Sequence, residues 1–280
     1  MAILGMLIQT RDGKPLYSNV WSEKVIEFEE ADHAITAGFL SALNSFAGEF
    51  NQKLGFIRFL PLRLYPNTLG INALVTFIED LMIVCFTEPY LFPEKVFMKI
   101  QWIYDAVLVK YVDDLRRGHL VPLQKEDQQF IRDILLDRFL RQRIQKNKEE
   151  LEFKIQKFLY DTAEEIYGIS INSFDNSILY SYRIDRKQLE YMLFDMGGMG
   201  AGGMLDEFEI QYKPVWFKDH PPLLISVANS GLPTELDEIL HNESTEVVHY
   251  YYYLISGTDC SIGPIMENLI HEFNPVLLTY

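Results

Sequence analysis

Few residues of this chain are of types that could support catalysis or ligand binding. They are two cysteines, six histidines and the glycines of one glycine-rich segment. The histidines lack the close spacing of a zinc site, and His271 is without the second histidine that a metalloprotease helix carries. Cys260 precedes a predicted helix, where a thiolate would be stabilised, and His249 or His271 would serve as its base. Nothing in the sequence brings these residues together. We therefore expect no catalytic residue and no metal site.

The glycine-rich segment, Gly198-Met-Gly-Ala-Gly-Gly203, formally matches the G-x-G-x-x-G pattern of dinucleotide-binding loops. That loop follows a strand and opens a helix, whose N-terminus then receives the pyrophosphate. Here the predicted helix comes before the glycines and the predicted strand after them, so we expect no cofactor. We interpret the segment as a connector. Met196, Met199 and Met204 would give it an adaptable apolar surface, and one hypothesis is a flap that becomes ordered on partner binding.

The net charge of −15 restricts the partners of this chain. A strongly acidic protein repels polyanions at long range, which disfavours general binding to nucleic acid or anionic lipid. One local exception is the basic run Arg138, Arg141, Arg143, Lys146 and Lys148. Two interpretations stay open for this run: a solvated helix face, or a site for a small anion or an acidic partner.

Composition and length predict a globular cytoplasmic protein. Apolar residues make up 48% of 280 residues, which suffices for the cores of two ordinary domains. The two cysteines form no disulfide framework, as expected in a reducing compartment, and no signal peptide is recognisable. No apolar run approaches the roughly 20 residues of a membrane helix, so we expect no transmembrane segment.

An internal repeat lies at an offset of 163 residues. Ile3–Ser18 and Ile166–Ser181 align without a gap and are identical at seven of sixteen positions. Each contains two β-type runs around a tight turn, Asp12-Gly13 in one and Asp175-Asn176 in the other. Glycine and asparagine tolerate the positive φ that hairpin turns require. The sequence therefore predicts two copies of one hairpin-containing unit.

Apolar periodicity predicts the elements that follow each hairpin. In the first copy they are a helix over Ala31–Phe50, strands at Phe56–Tyr65, Ile71–Ile78 and Leu81–Thr87, a helix from Pro93 to about Arg117, and helical structure from Lys125. In the second copy they are a helix over Arg186–Met196, strands near Phe208–Phe217, Leu223–Asn229 and Val247–Ser256, and a helix over Ser261–Phe273. Pro61 and Pro214 lie inside the third predicted strand of each copy. Since proline cannot donate to a ladder, we expect both strands at sheet edges or bulges.

This order of elements resembles the longin fold, and the chain is similar to tandem longin-domain proteins of the longin/roadblock superfamily. The resemblance implies an α+β fold of two longin-like units, each a five-stranded antiparallel sheet flanked by helices. We expect a first domain at 1–122 and a second domain at 166–280. A helical segment at 123–165 would complete the first domain and link it to the second. Longins carry no signature motif, so the resemblance depends on element order alone.

The resemblance also implies a function. Its relatives are trafficking proteins and regulators, so we expect a non-enzymatic adaptor or regulator that binds a small GTPase, such as a subunit of an exchange factor, or another longin or roadblock protein. Any peripheral association with a membrane would occur through the partner. The two units would form an internal pseudo-dimer. Two alternatives are a small-molecule sensing module and a vesicle-fusion (SNARE-like) protein with residues 125–165 as its coiled-coil motif.

The residues expected to contact a protein partner lie on the first helix of each copy, on the strands that follow it and, in the second copy, in the glycine-rich connector. They are Ile35, Phe39, Phe46, Arg58, Arg63, Met196, Met199, Met204 and Trp216.

Overall fold

The fold is α+β, with two antiparallel sheets in two compact units, Met1–Leu136 and Asp137–Tyr280. A computed structural model of the protein describes residues 2–11, 13–22, 33–50, 52–60, 69–117, 121–161, 166–199, 202–205, 208–217, 220–230, 254 and 261–271. Each unit contains one of the sheets.

The first unit is a five-stranded sheet covered by helices. Its elements are β1 (Ile3–Thr10), β2 (Pro15–Val20), α1 (His33–Gly48), β3 (Phe56–Phe59), β4 (Ile71–Ile78), β5 (Leu81–Thr87), α2 (Pro93–Ile103), a π-helical segment (Tyr104–Leu108), α3 (Val109–Arg116) and α4 (Lys125–Leu135). The strand order is β2-β1-β5-β4-β3. Leu40 of α1 packs into one core cluster with Leu7, Val84 and Phe86 of the central strands. This apolar contact places α1 on one face of the sheet.

The second unit contains α5 (Arg138–Lys146), α6 (Lys148–Asp161), β6 (Ile166–Asn172), β7 (Ile178–Tyr182), α7 (Arg186–Met199), β8 (Gly202–Leu205), β9 (Phe208–Phe217), β10 (His220–Ser230) and α8 (Gly263–His271). Its sheet has four longer strands and the four-residue β8 at one edge, in the order β7-β6-β10-β9-β8. The predicted strand at Val247–Ser256 lies, except for Leu254, outside the described residues.

The helices between the two hairpins are divided between the units. The boundary falls after Leu136, inside the predicted linking segment 123–165, so α4 belongs to the first unit. Ile144 of α5 and Phe158 of α6 are buried in one cluster with Ile169 of β6 and Leu269 of α8. The core of the second unit is therefore built partly from helices that precede its first strand.

The central strands of the two sheets have the same register. Met6 pairs with Asn19 and, 163 residues later, Ile169 pairs with Tyr182. A register shift follows Ile8 in the first hairpin, and one follows its counterpart Ile171 in the second. A second shift, on the other edge of the central strand, lies between Ile3 and Gly5 and again between the equivalent Ile166 and Gly168. Because bulges are specific features of a ladder, their coincidence supports a duplicated unit.

The two hairpin turns also have the same hydrogen bonds and backbone conformation. Gly13 N–H donates to Thr10 O at 3.0 Å, and its counterpart Asn176 N–H donates to Ser173 O at 2.9 Å. Gly13 has a φ of 85° and Asn176 a φ of 74°, as the turn chemistry predicted. Asparagine takes the place of glycine at this position, because it tolerates the left-handed region.

The glycine-rich segment corrects two expectations. Instead of forming a connector, it contributes the end of α7, up to Met199, and the edge strand β8. β8 pairs with β9 as β3 pairs with β4, over four residues each. Pro214 therefore lies in β9, the counterpart of β4 and not of β3. In the described structure β8 pairs with Phe208–Gln211 and leaves Pro214 beyond its end, while on the other side Pro214 pairs with Leu224 of β10. Pro61 lies outside the described residues.

Gly168 offers a test of the close packing in the second hairpin. An added Cβ would lie 2.6 Å from the Tyr182 carbonyl oxygen and 2.5 Å from Ile184 Cγ1. We expect Gly168→Ala to lower the free energy of unfolding by about 1–3 kcal/mol, the usual cost of overpacking. Gly38→Ala in α1 is the control, because a Cβ added there has no neighbouring atom within 4 Å. It should raise the free energy of unfolding by about 1 kcal/mol, since alanine has the higher helix propensity. Urea unfolding measures the stability of both variants. A Gly168→Ala variant with the same unfolding midpoint as the wild type would contradict close packing around Gly168.

Candidate interaction surface

The C-terminal end of α1 exposes two aromatic rings. Phe46 and Phe50 are each 63% exposed, and their ring centroids lie 5.2 Å apart in an edge-to-face arrangement. On the same helix Leu40 is buried in the core. α1 therefore packs on the sheet with one face, while Phe46 in its last turn and Phe50, two residues after its end, form an exposed apolar pair. Paired exposed aromatics of this kind are typical of protein-binding surfaces.

β3 is an edge strand beside this helix. Within the described part of the structure it has a neighbouring strand, β4, on one side only. Phe56 is exposed on this strand, and Leu60 is exposed directly after its last residue. Between them the Arg58 guanidinium lies 5.7 Å from the centroid of the Phe56 ring, and its Nε donates to Asn72 Oδ1 at 3.0 Å. An open edge with apolar and cationic side chains can accept a strand from another chain.

Hydrogen bonds fix the connection from α1 to β3. Leu54 N–H donates to Asn44 Oδ1 of α1 at 3.3 Å, and Gln52 N–H donates to Ala47 O at 3.0 Å. At the strand end, Val75 N–H donates to Gly55 O at 3.0 Å. These bonds hold the end of the helix near the start of the edge strand. Ile57 and Phe59 pack against the cluster that contains Leu40, so Phe56 and Arg58, which alternate with them, lie on the sheet face away from α1. We call Phe46, Phe50, Phe56, Arg58 and Leu60 together the α1–β3 surface, which includes the end of the helix and the outer side of the sheet edge.

The second unit carries α7 and β8 in the same topological places. By register, Met204 of β8 corresponds to Arg58, because each lies two residues after the first residue of its edge strand. Met196 and Met199 lie in the last turn of α7. The side chains of these three methionines are outside the described part of the structure.

The predicted interaction residues therefore have different outcomes. Phe46 and Arg58 lie at the surface of the first unit, and Trp216 is mostly exposed on β9. Ile35 and Phe39 lie in α1, but their side chains are outside the described part, and Arg63 is outside it altogether. Sequence reasoning did not select Phe50, Phe56 and Leu60. The spacing of Phe46 and Phe50, four residues apart, was the available signal for one of them.

A cluster of titratable groups joins α3 to α4. Lys110 Nζ donates to Asp127 Oδ1 at 2.6 Å, Tyr111 Oη donates to Asp127 Oδ2, and Gln124 N–H donates to Tyr111 Oη at 3.1 Å. Burial acts to raise the pKa of the Asp127 carboxyl, but the hydrogen bonds from Lys110 and Tyr111 outweigh it and lower the pKa. Burial and the bond to Asp127 raise the pKa of Tyr111. Each group stabilises its neighbour, which is the arrangement of a structural contact between helices.

A second polar cluster lies inside the second sheet. Ser170, Asn172 and Ser226 are fully buried, where the register places Leu7, Gln9 and Val84 in the first sheet. Asn172 Nδ2 donates to Asn176 Oδ1 at 3.1 Å and lies 3.4 Å from Ser226 Oγ, and Ser170 Oγ donates to Asn172 Oδ1 at 3.2 Å. These bonds tie the strands to the hairpin turn, so we interpret the cluster as structural.

No other chemistry emerges in the described ranges. They contain no group of three or more histidine, cysteine, aspartate or glutamate side chains that could hold a metal. The G-x-G-x-x-G match begins in the last turn of α7 and ends in β8, so the helix precedes the strand, the reverse of a dinucleotide-binding loop. Among the helices that the structure describes, none is long and apolar enough to cross a membrane.

Comparison with known proteins identifies no family. No protein-family model matches the chain, and no curated protein matches it significantly. The longin resemblance stays a prediction made from the order of the elements.

The Asp127 contact predicts how the protein responds to acid. Because the folded pKa of Asp127 is lowered, its stabilisation is present above the unfolded pKa of about 4 and is lost as the pH falls through the folded value. We expect Asp127→Asn to lower the free energy of unfolding by about 1–2 kcal/mol at neutral pH, and by less near pH 3. Urea unfolding at the two pH values measures the difference. The matched control, Glu126→Gln on the same helix turn, should change little; an Asp127→Asn effect independent of pH would refute the linkage.

Proposed function

We propose that this protein is a non-enzymatic adaptor or regulator that binds a protein partner through the α1–β3 surface. The observation that carries the proposal is the exposure of Phe46 and Phe50 at the end of a helix whose other face is buried in the core. Burying a phenylalanine side chain stabilises a complex by about 1.5–3 kcal/mol, so two rings supply a sizeable part of an interface. Large aromatics in the centre of a contact are frequent hot spots.

The partner class follows from the order of the elements. The strand orders are β2-β1-β5-β4-β3 and β7-β6-β10-β9-β8, so strands that correspond in the chain also occupy corresponding places in the two sheets. Each unit also has a helix, α1 or α7, between its hairpin and its edge strand. This agreement supports two longin-like units in tandem. We accordingly propose a small GTPase, a trafficking protein or another longin or roadblock protein as the partner, in the cytoplasm, with regulation of nucleotide exchange as one such role.

The mode of binding combines an edge strand with a helix end. A partner strand would add to β3 through main-chain hydrogen bonds, while apolar side chains of the partner cover Phe46 and Phe50. An acidic residue on that strand would meet Arg58, which lies between two exposed apolar residues on the edge. The edge gives affinity that is independent of sequence, and the side chains give specificity.

Affinity purification from the native cell, with extracts loaded with GDP or GTP, tests this function. We expect the wild-type chain to retain a small GTPase or a trafficking protein, and the Phe46→Ser, Phe50→Ser variant to retain at least about tenfold less of it. The matched control removes two exposed aromatics elsewhere, Phe153 and Tyr160 of α6, which are 65% and 83% exposed. The Phe153→Ser, Tyr160→Ser variant should retain the partner.

Two results would contradict the proposal: recovery of no GTPase or trafficking component under either nucleotide, or equal recovery by the Phe46/Phe50 variant and the wild type. Loss of folding is a separate outcome and is measured directly. Because both rings are exposed, the Phe46/Phe50 variant should unfold within about 1 kcal/mol of the wild type. Leu40→Ala, on the buried face of the same helix, should cost about 2–5 kcal/mol.

A further inference from the structure

α5 is a basic helix in a strongly acidic protein. Its nine residues, Arg138–Lys146, carry four basic side chains and no acidic one, and Lys148 follows directly. The whole chain has a net charge of −15. The charge of this basic run is therefore opposite in sign to the net charge of the protein.

Core packing fixes which side of α5 faces outward. Leu140 and Ile144, one turn apart, are buried in the core cluster of the second unit. Arg138 and Lys146 are exposed on the opposite side of the helix. Arg141 and Arg143 are half-buried on its two flanks, and the Arg143 guanidinium lies 5.2 Å from the centroid of the Phe139 ring. The helix thus presents its charges from a rigid support.

The helix macrodipole does not favour the basic residues at the start of α5. The first turn of α5 contains Arg138 and Arg141 and no acidic residue. Positive charge at a helix N-terminus opposes the macrodipole, where aspartate or glutamate would be favourable. Asp137, which precedes the helix, accepts a hydrogen bond from Ser173 Oγ at 3.1 Å and makes no capping bond with its side chain. The macrodipole therefore gives no reason for Arg138 and Arg141 at this end of the helix.

We propose that the outward face of α5 binds an acidic peptide segment of another protein. Arg138 and Lys146 are eight residues apart, which is about 12 Å along a helix. An extended chain covers that distance in about four residues, so the segment fitted best has carboxylates four positions apart. This contact is separate from the α1–β3 surface and does not depend on it.

The net charge favours a short peptide over an extended polyanion. Electrostatic interactions at physiological salt decay over about 8 Å, so a segment lying on α5 is affected mainly by nearby charges. These are the four basic residues of α5, together with Lys148, Glu149 and Glu150 at the start of α6. A membrane or a nucleic-acid duplex is larger than this helix and would also meet the acidic remainder of the protein. This difference in size favours a short acidic peptide over a membrane or a nucleic-acid duplex.

Fluorescence anisotropy with the full chain tests the site. The probe is a fluorescein-labelled peptide that carries two glutamates four positions apart, at about 50 mM salt so that screening is modest. We expect the Arg138→Gln, Lys146→Gln variant to bind it about tenfold more weakly, since two charge contacts are lost. The control variant, Lys95→Gln with Lys125→Gln, makes the same change in net charge at two exposed lysines of α2 and α4 and should bind as the wild type does.

Three outcomes would overturn the proposal: equal binding by the wild type and the Arg138/Lys146 variant, an equal loss in the Lys95/Lys125 control, or tighter binding to phosphatidylserine vesicles or a DNA duplex than to the peptide. The thermal unfolding temperature of the Arg138/Lys146 variant should lie within about 4 °C of that of the wild type, because both side chains are exposed. The Phe46→Ser, Phe50→Ser variant should still bind the peptide, which separates this site from the α1–β3 surface.

Discussion

Pairing of the central strand on both of its edges is the constraint on which each unit depends. β1 pairs with β2 and β5, and β6 pairs with β7 and β10, each with one register shift on either side. Side chains alternate between the faces of a strand, so a slip of one residue would exchange the core face for the opposite one. The two shifts set the register, and the register decides which residues meet the helices. Close packing at Gly168 shows how little room the ladder leaves.

One backbone frame supports two different interiors. In the first sheet Leu7 and Val84 join Leu40 of α1 in an apolar cluster. In the second sheet Ser170 and Ser226 occupy the corresponding positions and are buried in a hydrogen-bonded network. The first unit therefore holds its helix by apolar burial, whereas the second ties its hairpin turn to the sheet. Buried hydroxyl groups need partners, so this network restricts the turn to one arrangement.

The parts of the molecule left for recognition lie outside these cores. The α1–β3 surface combines exposed rings with an open sheet edge, and α5 presents positive charge from a helix that the core holds in place. The two surfaces differ in physical character. In the proposed contacts, apolar burial at the first surface would give affinity that salt hardly changes, while charge contact at the second would depend on ionic strength.

The sequence by itself determined the elements whose signals are local. The repeat at an offset of 163 residues, the turn residues Gly13 and Asn176, and the apolar runs Ile71–Ile78 and Leu81–Thr87 were sufficient to predict the two hairpins, their turns and those strands. Only the tertiary structure decided that α5 packs with the second unit and that Gly202–Leu205 forms an edge strand. It also decided that Phe50 is exposed while Leu40 is buried. An apolar helical stripe gives periodicity but not which members find a neighbour, and a short glycine strand exists only because β9 supplies its hydrogen bonds.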